Sequence, residues 1–418
     1  MIRYADSEDN LILVAGNRLQ VIHHLLLATC HLLLMNSLSL YLHIPFCRHR
    51  CAYCDFNTYT SLADLQPDYA AALAAEVQQV AGAERRPAHT LFFGGGTPSL
   101  MTPGELEVIL TAVHTHFTIS ETAEITMEAN PGTVDLAYLT AIHNLGVNRM
   151  SFGAQSANPG ELALLEREHD FAAVVTAVQL ARQTGITNLN VDLIYGVPGQ
   201  TLASWAESVQ AVLALQPAHL SLYCLTIEPG TPMKRWLENG RISPPDPDLA
   251  ADQYALACEQ LAAHGYDHYE ISNWALPGYA CAHNLTYWRN GEYLGLGAGA
   301  HGHTASIRYE VVKQPRVYIR RLQQAEPPGY PLSTAVAAHH TLTRQEQMTD
   351  TLITQLRLLD EGVDMAAFAQ KFGQSLLDVY GQPIDQLVEW ELLSLADGRL
   401  RLTPKGWFLS NQVFYRFL

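Results

Sequence analysis

A chain of 418 residues is longer than one average domain and leaves room for a barrel plus an appendage. Hydrophobic residues at 48% and charged residues at 16% exclude a disordered chain and imply a sizeable core. The formal net charge of −16 excludes a general electrostatic grip on nucleic acid, which needs clustered Lys and Arg, and disfavours anionic membrane surfaces.

Residues 1–38 read as an N-terminal extension. Val21 to Met35 is apolar but holds His23, His24 and His31, and it falls short of the ~20 residues that span a bilayer. No small-residue cleavage site follows, so neither a transmembrane segment nor a signal peptide is expected; peripheral membrane contact stays open. A start placed too early, with Met35 as the true beginning, is an equal reading.

From Ser39 the pattern alternates. Strands are expected at Ser39–Phe46, Thr90–Phe93, Glu124–Ala129, Asn148–Ala154, Asn188–Tyr195 and His219–Ile227. Helices follow them at Asp64–Gly82, Pro103–Phe117, Asp135–Leu145, Phe171–Thr184, Thr201–Leu215 and Leu249–Ala263. Six β/α units in a row predict an α/β fold with a parallel sheet curling into an incomplete (β/α)6 barrel over residues 39–270. Residues 271–340 read as an irregular connecting region with the glycine-rich run Gly295 to His301. Residues 341–418 read as a winged-helix-like domain, with a hairpin turning at Asp397-Gly398. Its seven Lys/Arg against ten Asp/Glu favour a structural or docking role over DNA binding.

Chemistry in such barrels sits at the C-terminal ends of the strands. Polar and glycine residues gather there: Cys47, Cys51 and Cys54 after strand one, Gly94 to Thr97 after strand two, Glu128, Gln155 and Asp192 at the next three. Each alone also suits a cap or turn. The seven cysteines, three of them within eight residues, do not look like a disulfide framework and fit a metal site in a reducing cytoplasm. Cys224 and Cys258 read as ordinary buried cysteines.

Cys47-Arg-His-Arg-Cys51-Ala-Tyr-Cys54 can hold three irons of a [4Fe–4S] cube, where ordinary electron-transfer clusters use four cysteines. The open iron then takes the amino and carboxylate groups of S-adenosylmethionine. One electron breaks the sulfonium C–S bond and yields a 5′-deoxyadenosyl radical. Zinc bound by the three cysteines with His43 or His49 is the other reading.

The segments Tyr41 to Asn57, Phe93 to Ser99, Glu128-Ala-Asn-Pro131, Ser151 to Gln155, Asp192 to Gly199 and Tyr223 to Gly230 resemble the radical S-adenosylmethionine family of oxygen-independent coproporphyrinogen oxidases and their relatives. The resemblance covers nearly everything after residue 38. It implies that Tyr41, Tyr53, Gly95, Gly96, Thr97, Glu128, Gln155, Arg167 and Asp192 contact S-adenosylmethionine, with the glycines admitting close backbone approach. Read from its surroundings alone, Arg167 on Glu-Arg-Glu is a solvated surface charge. The resemblance also implies an electron donor such as a flavodoxin or ferredoxin.

Two branches of that family compete. One oxidatively decarboxylates coproporphyrinogen III to protoporphyrinogen IX. The other is a heme chaperone that passes heme to acceptor proteins. The oxidases carry a further cysteine two residues after the third ligand, where this chain has Phe56. His283-Asn-Leu-Thr-Tyr287-Trp288 resembles the H-N-x-x-Y-W mark of the chaperone branch, which implies heme contact by His283, Tyr287 and Trp288. Cys281 is a possible added ligand, and His301 and His303 serve either heme or strand packing. A radical enzyme on an unrelated substrate is a third reading, since fold alone never fixes substrate.

Overall fold

The computed structural model describes residues 38–81, 86–323 and 326–418. The Val21–Met35 run and the alternative start lie outside the described residues. β1 (Leu38–Ile44), β2 (Pro87–Gly95), β3 (Thr118–Ala129), β4 (Arg149–Gln155), β5 (Asn188–Tyr195) and β6 (His219–Cys224) pair in chain order, all parallel. β1 is almost wholly buried, as expected of a parallel strand covered on both faces.

Local chemistry starts and stops the crossover helices. Thr102, Asp135, Asp170 and Thr201 each accept a hydrogen bond from the backbone N–H three residues on. Thr102 completes a capping box with Glu105. The helices Leu136–Asn144 and Phe171–Gln183 are followed by Gly146 and Gly185 in the left-handed region, the ordinary glycine stop. The expected strand at His219–Ile227 ends at Cys224, where its partner β5 ends at Tyr195 and the Leu225 N–H makes the last bond, to the Tyr195 carbonyl.

The stretch read as an irregular connection is instead more sheet. β7 (Asp267–Glu270) and β8 (Asn273–Ala275) form an antiparallel hairpin across the expected boundary at 270 and close the β6 edge. β9 (Tyr293–Leu296) joins the other edge, parallel to β1, with Tyr41 opposite Gly295. β10 (His301–Thr304), β11 (Ile307–Val311) and β12 (Val336–Thr341) add on antiparallel. The sheet order is β12-β11-β10-β9-β1-β2-β3-β4-β5-β6-β8-β7. The order is linear, so the barrel is open. Short strands separated by glycines hid this region, since four-residue segments carry too little periodicity to read.

Glu76, fully buried in the helix Gln66–Val80, ties the added strands to the barrel. It accepts hydrogen bonds from Gly297 N, Tyr318 Oη and Ser333 Oγ at 2.6–2.7 Å. Burial raises its pKa, and these three donors oppose the rise.

The last segment runs helix Arg344–Gln355, β13 (Val363–Asp364), helices Met365–Phe372 and Leu376–Glu389, β14 (Leu393–Ala396) and β15 (Arg399–Leu402), a winged-helix order. Asp397 and Gly398 both have positive φ, as a type I′ hairpin turn needs. Leu352, Leu356, Phe368, Leu376, Leu387 and Leu400 belong to a core separate from the barrel's.

Candidate functional site

The C-terminal strand ends open onto a cavity of about 540 Å³. Cys47, Cys51 and Cys54 line it, and so do Tyr41, Tyr53, Gly95, Gly96, Thr97, Glu128, Gln155, Arg167 and Asp192. His283 and Tyr287 reach the same space, whereas Trp288 does not. Residues up to 246 apart in sequence thus share one chamber, because each lies at the end of a neighbouring strand or on the helix behind it.

The cysteine loop is pinned at its base. Cys47 N–H donates to the Tyr59 carbonyl and Cys54 N–H to the Cys51 carbonyl. Thr97 Oγ1 donates to Cys47 Sγ at 3.5 Å, and Arg167 Nη1 to Cys51 Sγ at 3.3 Å. Burial pushes the Cys47 and Cys54 thiols up, partly offset at Cys47 by Thr97. Three soft sulfurs facing a cavity, with a guanidinium and a hydroxyl donating to them, fit a metal–sulfur cluster. Arg167 also donates to the Gly153 carbonyl at 2.8 Å, while its buried Nε has no protein partner. Its reading as a solvated surface charge is therefore corrected. The backbone after Leu164 leaves the helix and turns the guanidinium inward, with Glu166 in the left-handed region.

The glycines serve the loop as well as a ligand. A Cβ on Gly96 would lie 2.7 Å from the Phe46 carbonyl oxygen, and the Gly96 and Thr97 N–H groups donate to Ile44 and Phe46 carbonyls. Gly95, at φ +114°, donates its N–H to Glu128 at 3.0 Å. Glu128 is pushed up to about 7, first by burial and then by nearby Asp192, against the pull of Gly95 and Arg149. Asp192 accepts from Asn190 at 2.6 Å and from Ser151, and burial raises its pKa too. Gln155 holds positive φ without being glycine, a backbone cost that clusters at functional positions.

Arg149 was not singled out from sequence. It is 2% exposed, lines the cavity, and has its nearest carboxylate, Glu124, at 3.9 Å. Alternation would have revealed it, since Arg149, Ser151, Gly153 and Gln155 share one face of β4. Cys224, expected buried, is exposed on this cavity because β6 ends there. Cys281 is buried, donates to Glu124 and reaches neither cavity, so it is no ligand here. Burial pushes its thiol up to about 12.

The helix Ala282–Trp288 begins against Glu124, which accepts the N–H groups of Ala282 and His283 at 3.1 Å. The acid complements the positive helix end. The His283 ring is 1% exposed and stacks on Phe92. Its Nδ1 pairs with Thr90 Oγ1 and its Nε2 with Tyr287 Oη, both at 2.8 Å. Burial holds the ring neutral, with its pKa pushed down to about 3. Both nitrogens are thus engaged, and ligation of a metal by His283 requires one bond to open.

Trp288 faces a second cavity, of about 490 Å³, which shares Tyr41, Phe56, Gly95, Glu128 and Tyr287 with the first. The Arg357 guanidinium lies over the Trp288 ring, 4.2 Å from its centroid.

Residues 41–212 match the radical SAM superfamily and residues 342–409 the HemN C-terminal domain. The chain is similar to heme chaperone HemW of Bacillus subtilis, 35% identical over 91% of this chain and 99% of that protein. The HemW of Mycobacterium tuberculosis strain H37Rv is 39% identical over 90% and 93%, and that of Escherichia coli 33% over 91% and 98%. The solved structure of Escherichia coli coproporphyrinogen III oxidase HemN, 24% identical, matches with a TM-score of 0.78 over 91% of this chain and 90% of that one, which shows a shared fold. With relatives this similar along nearly their whole length, the chain belongs to the HemW family of radical SAM proteins.

Proposed function

We propose that this protein is a heme chaperone that binds heme and hands it to acceptor proteins. The observation that carries the reading is the full-length similarity to proteins named heme chaperone HemW, on a chain with Phe56 where an oxidase would hold another cysteine. Membership of the radical SAM superfamily brings a [4Fe–4S] cluster and S-adenosylmethionine as cofactors. Cys47, Cys51 and Cys54 would hold the cluster, which when reduced supplies the electron that cleaves S-adenosylmethionine. Arg167 and Thr97 orient and neutralise two of the sulfurs. Glu128 would accept a hydrogen bond from the cofactor's amino group, and Tyr41, Tyr53, Gln155 and Asp192 would enclose the remainder.

Arg48 and Arg50 are exposed beside the cysteines and suit docking of an acidic electron donor such as a flavodoxin or ferredoxin. The clustered thiols suit a reducing compartment such as the cytoplasm. No described helix is long and apolar enough to cross a membrane. Boundaries at the ends of β8 and β12 suit the strands better than 270 and 340, and on this reading the H-N-x-x-Y-W helix between β8 and β9 would face the heme. The test sets a heme titration beside an anaerobic assay with coproporphyrinogen III on one reconstituted sample. Heme binding without protoporphyrinogen IX is expected; formation of protoporphyrinogen IX by purified protein overturns the chaperone reading.

A further inference from the structure

The face of the sheet that lines the first cavity continues past β1 onto the added strands. Residues opposite one another, or two apart along a strand, share a face, so Tyr41, His43, Tyr293, His301, His303 and Arg308 look the same way. They wall the second cavity together with Trp288. Its volume lies in the range of small-molecule and cofactor sites. Trp288, Tyr293 and the 63% exposed Phe56 offer flat apolar surface, and Arg308 offers a cation.

The histidines on the two cavities differ in what they have free. His43 pairs through both nitrogens, with Tyr41 Oη and the Asn57 carbonyl, each at 3.1 Å. His283 pairs through both with Thr90 and Tyr287. His49 lies 3.7 Å from Glu166. His303 is almost buried beside the Tyr293 ring. Of the three histidines that line the second cavity, His43, His301 and His303, His301 alone is exposed, and it makes no side-chain hydrogen bond among the described residues. Freeing either nitrogen of His43, or Nε2 of His283, would take a partner from a hydroxyl or carbonyl, and Nδ1 of His283 faces Thr90, which also bonds Ser39 in the core; His301 offers a nitrogen at no such cost.

We infer that heme sits in this second cavity with His301 as the axial ligand to iron, its ring plane against Trp288 and Tyr293 and its propionates at Arg308. The inference rests on the heme-carrier reading. It assigns His283 a different task, that of holding Tyr287, which walls both chambers. Arg308 is half exposed and bonds Asp350 at 2.8 Å, which leaves other guanidinium N–H groups for a propionate.

The test is an anaerobic titration of the cluster-loaded protein with hemin, read by the Soret band and by electron paramagnetic resonance. Wild type is expected to show imidazole ligation. His301→Ala is expected to lose that signature and to bind heme at least tenfold more weakly. His301→Cys is expected to shift the spectrum to a thiolate type, which a purely structural role would not produce. His283→Ala is expected to keep the imidazole signature while weakening affinity. An imidazole spectrum that survives His301→Ala, or that disappears in His283→Ala alone, overturns the ligand assignment. Absence of any heme binding by wild type overturns the carrier reading itself, and this inference with it.

Discussion

Arg167 bonds a cysteine sulfur, a backbone carbonyl and nothing at its third nitrogen. A lysine at this position presents one point charge in place of a planar fork and cannot hold both partners in that geometry. Arg167→Lys is therefore expected to keep the cluster absorbance while slowing reductive cleavage of S-adenosylmethionine about tenfold or more, measured as 5′-deoxyadenosine formed. Cys51→Ser is expected to abolish the absorbance after reconstitution; full absorbance would refute the three-cysteine assignment. Glu128 gives a pH test. Its carboxyl is pushed up to about 7, and the carboxylate accepts a hydrogen bond from the cofactor's amino group better than the neutral acid does. Affinity for S-adenosylmethionine should then weaken as the pH falls below about 7, by up to about tenfold at pH 6. Equilibrium binding across pH 6–8.5 measures this, and Glu128→Gln should flatten the curve at its weak end.

Two short elements carry the site. The turn after β2 fits under the cysteine loop only because Gly96 lacks a side chain. Gly96→Ala is expected to push the Ile44–Phe46 backbone away and to lower iron and sulfide bound per chain, with the fold retained by circular dichroism. The helix Ala282–Trp288 depends on the His283 ring between Thr90 and Tyr287. His283→Ala leaves two buried hydroxyls short of a partner and is expected to cost about 2 kcal/mol, visible as a lower Tm. Strand alternation made the inward face of β5 legible in advance, with Asn188, Asn190 and Asp192 together; on β4 the same alternation was there to read, but Arg149 was not singled out. The added strands β8 to β12 were not, because each is too short to show a period, and their attachment to the frame runs through distant partners, β8 to β6 and β9 to β1.

Across the whole molecule, ion pairs fasten the winged-helix segment to the barrel. Arg289 meets Glu361 at 2.5 Å, and Arg357 meets the fully buried Glu270 at 3.3 Å. Glu270 also accepts from Asn273, and burial raises its pKa against the pull of Arg357. Removing Arg357 strands a buried carboxylate and uncovers Trp288, so Arg357→Ala is expected to destabilise by about 3 kcal/mol. Adding Glu270→Gln should recover part of that loss in urea unfolding, since the unpaired charge is then gone. These ion pairs agree with the structural or docking role that the segment's acidic balance favours over DNA binding.

What the sequence by itself determined is the cofactor chemistry and the parallel frame. Cysteine spacing and strand-end residues are local, and six β/α periods are long enough to read. The cluster residues and the cofactor residues, including Arg167 through family resemblance, all reach one chamber. What only the tertiary structure decided is which histidine nitrogens are free, that Arg149 and Cys224 face the chamber, and that a second cavity opens past β1. Those facts depend on hydrogen bonds and sheet pairing between residues about two hundred to two hundred and fifty positions apart, as between Thr90 and His283 or Tyr41 and Gly295, and no local pattern encodes such a pair.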